Sequence, residues 1–430
     1  MLCVPCSMNR QPKIAIIQFP GSNCELETAR AVERNGMTAE HFRWNEKKSL
    51  TKFDGAVLVG GFSYEDRGRS GLIASRDPLT REVFRLAKRG GVVFGICNGA
   101  QVLVETGLVP NFEFGKSVLA LTRNRRVSNG EVVGEGYFND WVFVRPNRER
   151  VNAFNQFEEE FLRIPIAHAE GRFFSEDHQT LAKIVDEHLN AFVYCDAEGY
   201  IRPEFPTNPN GSVLNLAGVT NSAGNVMALM PHPERTVAGD PIFSSIKTWL
   251  TGKIEKPAAR KIKFTQPVSK IQPKQTFTVE FFVKLKITDN EALSVGRAAG
   301  VDLEKFRFFG FDFRGTKSDL EKIIRSGDLL NTEKEAVFVK FGGKTFKFSK
   351  DHGLVPAKFS PPKNKILARE KEASLDTARE KSLNRRLSKN VVKNFSSGIL
   401  WATGDTKTKF EKALGQGFFH HSSSYDLIKI

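Results

Sequence analysis

The chain has 430 residues, enough for two or three domains that each bury a core, and no apolar run approaches the ~20 residues of a membrane-spanning helix. Five cysteines in this length exclude a disulfide framework as the organising device and point to a reducing, cytoplasmic setting. The net charge of +15 is uneven: residues 256–430 carry 35 Lys and Arg against 19 Asp and Glu, while residues 1–255 are close to neutral, so the basic half suits an acidic partner or phosphorylated ligands.

Residues 1–12 read as an N-terminal extension. Met1 to Arg10 lacks a basic stretch followed by an apolar core, so no secretory signal is expected. Cys3 and Cys6 form a C-x-x-C, but with no second pair and no nearby His a zinc site is not expected. Ile14–Ile17 is a first buried strand. Pro20 to Asn23 turns into a helix capped by Ser22 or Asn23, with Leu26, Ala29, Ala31 and Val32 as its apolar positions and Gly36 at its end. Thr38–Phe42 is a second strand, and Ala56–Val59 a third that runs into Gly60-Gly61. Leu79–Ala87 is a helix behind Pro78. Strands alternating with helices at this spacing predict an α/β fold with a mainly parallel sheet, whose functional loops lie at the carboxyl ends of the strands.

The run Val92-Val93-Phe94-Gly95-Ile96-Cys97-Asn98-Gly99-Ala100-Gln101 is an apolar strand, a tight turn and the start of a helix. Cys97 therefore sits at a strand tip and a helix N-terminus, where backbone dipoles favour a thiolate and free N–H groups hold an anion. A lone cysteine in such a place is more commonly structural. From Lys116 to Ile201 the pattern shifts to short strands, with His168 and Glu170 following one of them; a histidine at a strand end is more often structural than chemical. Val213–Leu216 and Val226–Leu229 form a hairpin about Ser222–Asn225, and its second strand leads into Pro231-His232-Pro233-Glu234-Arg235. Ile242–Leu250 closes the domain. A reactive thiol needs a base, and the base needs a partner that holds its tautomer. Cys97, His232 and Glu234 supply all three. Zinc on Cys97 and His232 fails for want of two further ligands at suitable spacing.

Residues 255–275 are Pro- and Lys-rich and read as a linker. Thr276–Leu285, Lys305–Phe313 and Glu335–Val339 are strands, and Glu291–Ala299 and Lys317–Arg325 helices, which gives a small α+β domain over 276–341. Phenylalanines interleaved with Lys and Arg between Phe306 and Phe313 also describe an RNA-binding sheet, but the usual strand signature is missing, and nucleic acid is not the expected partner. Residues 342–430 form a basic region of uncertain structure, in which Lys363–Lys393 is a solvated helix or a tether. His420-His421 is a poor metal site.

Gly95-Ile96-Cys97-Asn98-Gly99-Ala100-Gln101 and Pro231-His232-Pro233-Glu234-Arg235 resemble the nucleophile and His/Glu motifs of class I glutamine amidotransferases. Phe19–Glu25, Gly60–Arg67, Ala167–Gly171 and Thr207–Ser212 narrow the resemblance to the PurQ-type glutaminase subunits of phosphoribosylformylglycinamidine synthase, from about Lys13 to Leu250 within a domain spanning 13–254. The resemblance implies a flavodoxin-like class I glutaminase fold. It makes Cys97 the nucleophile, His232 the general base and acid, and Glu234 its orienting partner, with the N–H groups of Gly61 and Asn98 as the oxyanion hole. Gln101, Ser63, Tyr64, His168 and Glu170 would shape the glutamine pocket. It implies ammonia delivery to a PurL-type synthetase, which uses ATP and Mg on formylglycinamide ribonucleotide in purine biosynthesis. This chain has no P-loop signature and needs no cofactor of its own. Residues 276–341 weakly resemble the PurS-type small subunit, through the Val283-Lys284-Leu285-Lys286 strand and the Leu329-Leu330-Asn331 turn. An amidotransferase serving another acceptor is the alternative; Phe62-Ser63-Tyr64 and Asn208-Pro209-Asn210-Gly211 argue against it.

Overall fold

The computed structural model describes residues 10–46, 49–112, 116–252, 254, 256, 271–371, 374–421 and 424–430. The Cys3–Cys6 pair and most of the expected linker lie outside the described residues. The chain divides into two compact units, Met1–Gln266 and Pro267–Ile430.

The first unit is built on a nine-stranded sheet. Thr38–Arg43, Lys13–Gln18, Gly55–Leu58, Val92–Ile96 and Val226–Leu229 lie side by side in parallel. Leu216–Thr220, Phe192–Cys195, Phe138–Pro146 and Leu162–His168 continue it antiparallel. The apolar runs that predicted central strands are central: every residue of Gly55–Leu58 and of Val92–Ile96 is buried, whereas Thr38–Arg43 at the edge is mostly open. Helix Glu25–Arg34 is tied to helix Asp240–Leu250 by Arg34, which bonds Asp240 at 2.8 Å through Nε. The expected strand at Val213 is a short 3-10 turn, and the hairpin strand starts at Leu216.

Two features of this sheet make a site. Leu229 is in register with Ile96, so the chain leaving each strand emerges beside the other, and the Cys97 N–H bonds the Leu229 carbonyl at 2.8 Å. Leu162–His168, although last in the sheet order, also reaches this place: the His232 N–H bonds the Pro165 carbonyl at 2.8 Å.

The second unit differs from expectation. The boundary placed at residue 341 falls inside one nine-stranded sheet, ordered Ile271–Gln272, Tyr425–Ile428, Asn364–Glu370, Val392–Thr403, Glu304–Phe313, Val279–Leu285, Glu335–Phe341, Lys344–Ser349, Gly353–Pro356. Ile271–Gln272 was expected to be linker. Lys363–Lys393 is neither tether nor solvated helix: it holds the strand Asn364–Glu370 and the helix Ser374–Leu387, whose Leu383 and Leu387 are buried. The five phenylalanines between Phe306 and Phe313 are all buried. Phe309, Phe311 and Phe313 face one cluster and Phe306 and Phe308 the other, and none is left exposed for a base to stack on.

The sheet is also a repeat. Val279–Leu285, Asn290–Ala299, Glu304–Phe313, Lys317–Arg325 and Glu335–Phe341 run strand, helix, strand, helix, strand, and Asn364–Glu370, Ser374–Leu387, Val392–Thr403, Lys407–Gly415 and Tyr425–Ile428 run the same way. The middle strands of the two modules pair antiparallel, with Phe308 opposite Gly398. Each of these residues lies eight positions before the threonine that caps its module's second helix, Thr316 or Thr406, so the pair marks a pseudo-two-fold axis. The helices are exchanged across it. Leu320, Ile323 and Ile324 of the first module pack with Leu383 and Leu387 of the second, while Ala292 and Val295 of the first pack with Phe410 and Ala413 of the second. Each module thus completes the other's core. Leu383→Ala is expected to cost about 2–5 kcal/mol in a denaturant melt of the second unit; a solvated tether would give almost nothing.

Candidate active site

Cys97 ends its strand at φ 51° and ψ −106°, a strained setting for a residue with a side chain, and helix Asn98–Glu105 starts directly after it. Gly99 permits the turn: a Cβ there would overlap the Leu58 carbonyl oxygen of the neighbouring strand. Cys97 is 6% exposed, and its Sγ lies 3.9 Å from the Ala167 carbonyl oxygen.

His232 and Glu234 are in direct contact. His232 Nδ1 is 2.6 Å from Glu234 Oε1, with both side chains buried. His232 Nε2 is buried without a hydrogen-bond partner. Burial alone would lower the proton affinity of this imidazole, but the Glu234 carboxylate, and after it Cys97, raise its pKa well above the ordinary value. The ring therefore has one nitrogen fixed by a carboxylate and the other unpartnered, beside a thiol.

Gly61 and Asn98, expected as oxyanion donors, have backbone N–H groups that the surrounding backbone does not use. Gly61 sits at φ 136°, and the short bridge it joins uses the Asn23 N–H on the Gly60 carbonyl and the Phe62 N–H on the Gly21 carbonyl, not its own N–H. The Asn98 N–H, first in its helix, has no acceptor within the helix. Its side chain organises the wall: Oδ1 accepts from the Ser63 N–H at 3.0 Å, and Nδ2 donates to Gln101 Oε1 at 2.9 Å and to Asp66 Oδ1 at 3.1 Å. Gln101 Nε2 in turn donates to the Glu170 carbonyl at 2.6 Å.

The remaining predicted residues divide. Ser63 is buried with Oγ unpartnered. The Tyr64 hydroxyl instead donates to Asp77 at 2.7 Å, anchoring its loop to the next helix cap, and burial with this bond raises its pKa. His168 is held neutral: burial first, then the proximity of His232, pushes its pKa down to about 3, which removes it from proton transfer near neutral pH. Glu170 accepts from the Ser70 N–H at 3.2 Å through Oε2.

Four residues without a predicted role belong to the site. Asn124 is fully buried, donates to the His168 carbonyl at 2.7 Å and accepts from the Gly171 N–H at 2.9 Å, so it fixes the segment that carries His168 and Glu170. Nothing local in its Arg-rich stretch announces this. Asp66 stands on a run of three positive-φ residues, Tyr64, Glu65 and Asp66. Cys24 Sγ, His232 and Glu234 place donor atoms within 4.8 Å of one another, a three-residue set different from the Cys97 and His232 pair weighed for zinc from the sequence. Arg235 Nη2, however, lies 3.1 Å from Cys24 Sγ and puts a fixed positive charge where a cation would bind. The set suits a proton network better than a metal.

Residues 11–251 match the family described as the CobB/CobQ-like glutamine amidotransferase domain. The phosphoribosylformylglycinamidine synthase subunit PurQ of Methanothrix thermoacetophila is 45% identical to this chain over 228 residues, which cover 52% of this chain and 86% of the relative. The PurQ subunit of Pyrococcus horikoshii is 39% identical over 246 residues, covering 55% of this chain and 98% of the relative. Among solved structures, that of PurLQS from Thermotoga maritima is 33% identical, covering 56% of this chain and 100% of that one, with a TM-score of 0.44.

Proposed function

Because this chain belongs to the CobB/CobQ-like glutamine amidotransferase family, we propose that it is the glutaminase component of phosphoribosylformylglycinamidine synthase, the activity for which its relatives are named. The observation that carries the chemistry is the buried imidazole of His232, fixed by Glu234 on one side and unpartnered beside Cys97 on the other.

In this reading the Cys97 thiolate, favoured by the helix N-terminus and the imidazolium, attacks the side-chain amide carbon of glutamine. The N–H groups of Gly61 and Asn98 take the oxyanion. His232 protonates the departing nitrogen, and ammonia leaves a γ-glutamyl thioester on Cys97. His232 then removes a proton from water, which attacks the thioester; glutamate leaves and the thiolate returns. Glu234 orients the ring and stabilises its cation. No cofactor takes part on this chain. The ammonia passes to a PurL-type synthetase subunit that spends ATP with Mg on formylglycinamide ribonucleotide, in the cytoplasm. No described helix is long and apolar enough to cross a membrane. The second unit lies outside the matched residues; its weak PurS-like resemblance and basic charge support a role in assembly with the synthetase.

The test is glutamine hydrolysis by the purified chain, alone and with a synthetase subunit, read as glutamate and ammonia release. Hydrolysis that rises with the partner is expected. Robust hydrolysis indifferent to the partner would keep the chemistry and remove the purine assignment.

A further inference from the structure

The arginine that follows His232 and Glu234 is aimed away from them. Glu234 Oε1 is 2.6 Å from His232 Nδ1, while Glu234 Oε2 is buried without a hydrogen-bond partner. Arg235, next in the chain, brings Nε to 3.8 Å from Glu234 Oε1, inside ion-pair range but too long for a hydrogen bond. Its Nη2 instead donates to Cys24 Sγ at 3.1 Å. A guanidinium bonds a carboxylate through two parallel charge-assisted bonds, whereas a thiol sulfur is a weak acceptor. With a carboxylate oxygen unpartnered beside it, the weaker arrangement has to be held in place.

Cys24 is built to hold it. The residue is fully buried at the N-cap of helix Glu25–Arg34, where its carbonyl accepts from the Thr28 N–H at 3.1 Å and the Thr28 hydroxyl at 2.6 Å. A polar side chain at an N-cap ordinarily bonds the helix backbone, but that of Cys24 makes no capping bond. It donates to Asn23 Oδ1 at 3.3 Å and turns its sulfur to Arg235. A Cβ at Gly60 would lie 3.0 Å from Cys24 Sγ and 2.9 Å from His232 Cε1, so thiol and imidazole pack over the same glycine. The ionisable groups that face His232 are Glu234 on its own segment, Cys97 from the strand-to-helix turn, Cys24 from the helix start and His168 from strand Leu162–His168. Glu234 is the carboxylate among them, and Arg235 is the fixed positive charge that can offset it.

We propose that Cys24 is a positioning residue for the catalytic base: by holding the Arg235 guanidinium at its sulfur, it keeps the Glu234 carboxylate for His232 alone. The proposal rests on the glutaminase reading and adds to it a residue outside the triad. Without the sulfur, the guanidinium closes on the unpartnered Glu234 Oε2. The carboxylate charge is then divided between a guanidinium and an imidazole, and the imidazolium that protonates ammonia loses its proton at lower pH. A sulfur suits the task because it directs the guanidinium without bringing a second carboxylate to the ring.

The experiment is a double-mutant cycle read in the pH profile of kcat/KM for glutamine, using the full chain with its synthetase partner. Wild type, Cys24→Ala, Cys24→Ser, Arg235→Met and the double variant Cys24→Ala/Arg235→Met are compared. In Cys24→Ala the basic limb is expected to move down by about 1 pH unit, with a roughly 10-fold loss of rate above it. Cys24→Ser, whose hydroxyl can accept from the guanidinium, should restore most of the wild-type profile. In the Arg235→Met background, Cys24→Ala should leave the limb where it is. An unmoved limb in Cys24→Ala, or an equal shift in both backgrounds, the mark of a residue that only fills space, would overturn the proposal, as would a serine variant that behaves like the alanine one. If Cys24→Ala folds poorly, Cys24→Val, which fills the site with a group that accepts no hydrogen bond, takes its place in the same cycle. Absence of hydrolysis by wild type would overturn the glutaminase reading. The titration of His232 followed by NMR in the same proteins then decides the proposal, and equal values in wild type and Cys24→Ala overturn it.

Discussion

Replacing Cys97 by alanine is expected to abolish glutamine hydrolysis, by on the order of 10,000-fold or more in kcat, without loss of the fold. The size follows from what remains. The alanine variant keeps the N–H groups of Gly61 and Asn98, the fixed imidazole of His232 and the glutamine pocket, but has no atom able to form the thioester. Oxyanion donors and binding without a nucleophile leave only a residual rate. The fold should survive because the turn is set by Gly99 against Leu58 and by the bond from the residue 97 N–H to Leu229, neither of which needs the thiol. Relief of the positive φ is no gain, since alanine also carries a Cβ. Thermal melting and far-UV circular dichroism should match wild type. A diazoketone analogue of glutamine should alkylate wild type once, at Cys97, and leave the variant unlabelled in a mass spectrum. A variant that folds and still hydrolyses glutamine at a rate near wild type would remove Cys97 from the mechanism, and Cys24, the other thiol near His232, would be the group to examine.

The strand-to-helix turn at Cys97 and the contact of His232 with Glu234 were legible because each sits in a short segment whose backbone is dictated locally, by glycines around Cys97 and by prolines around His232 and Glu234. The resemblance put His168 and Glu170 beside the pocket, but what holds that wall in place was not legible. Its shape comes from Leu162–His168 meeting the segment after Val226–Leu229, and from Asn124 pinning His168, contacts between stretches far apart in the chain. Tyr64 was assigned to the substrate because it lies in the right loop, yet its hydroxyl is committed to Asp77. The second unit shows the same limit differently. Its repeat is written in the capped helices, where Thr316-Lys317 and Leu320-Glu321-Lys322 answer Thr406-Lys407 and Phe410-Glu411-Lys412. It is erased in the strands, where Phe306 to Phe309 answers Ser396 to Ile399. A helix start constrains particular side chains, whereas a strand position asks only for something that fits a pleated surface. Reading the strands alone hid the second module, and the few apolar residues of helix Ser374–Leu387 made it look like a tether.

Glu234→Gln carries the second large effect, and its signature is in the pH profile. The glutamine can still reach His232 Nδ1, so the ring stays oriented while the negative charge is lost. His232 has its pKa raised well above 6.5, through Glu234 foremost and Cys97 next, against the opposing effect of burial. A folded-state pKa above the unfolded one means that this charge pairing stabilises the fold fully below about pH 6.5 and that its contribution is lost as pH rises through the folded value. Removing the carboxylate lowers the folded value, so the imidazolium that protonates the leaving ammonia, and that accompanies the thiolate, disappears at a lower pH. The basic limb of kcat/KM should move to lower pH, and the plateau should fall about 100- to 10,000-fold. The added stability of wild type at low pH should shrink in the same variant. A profile that keeps its basic limb while the rate falls would mean that Glu234 acts only by orientation. A profile and a rate both unchanged would exclude the carboxylate from the reaction, because a buried imidazole beside a thiol cannot hold its proton to high pH without a nearby negative charge.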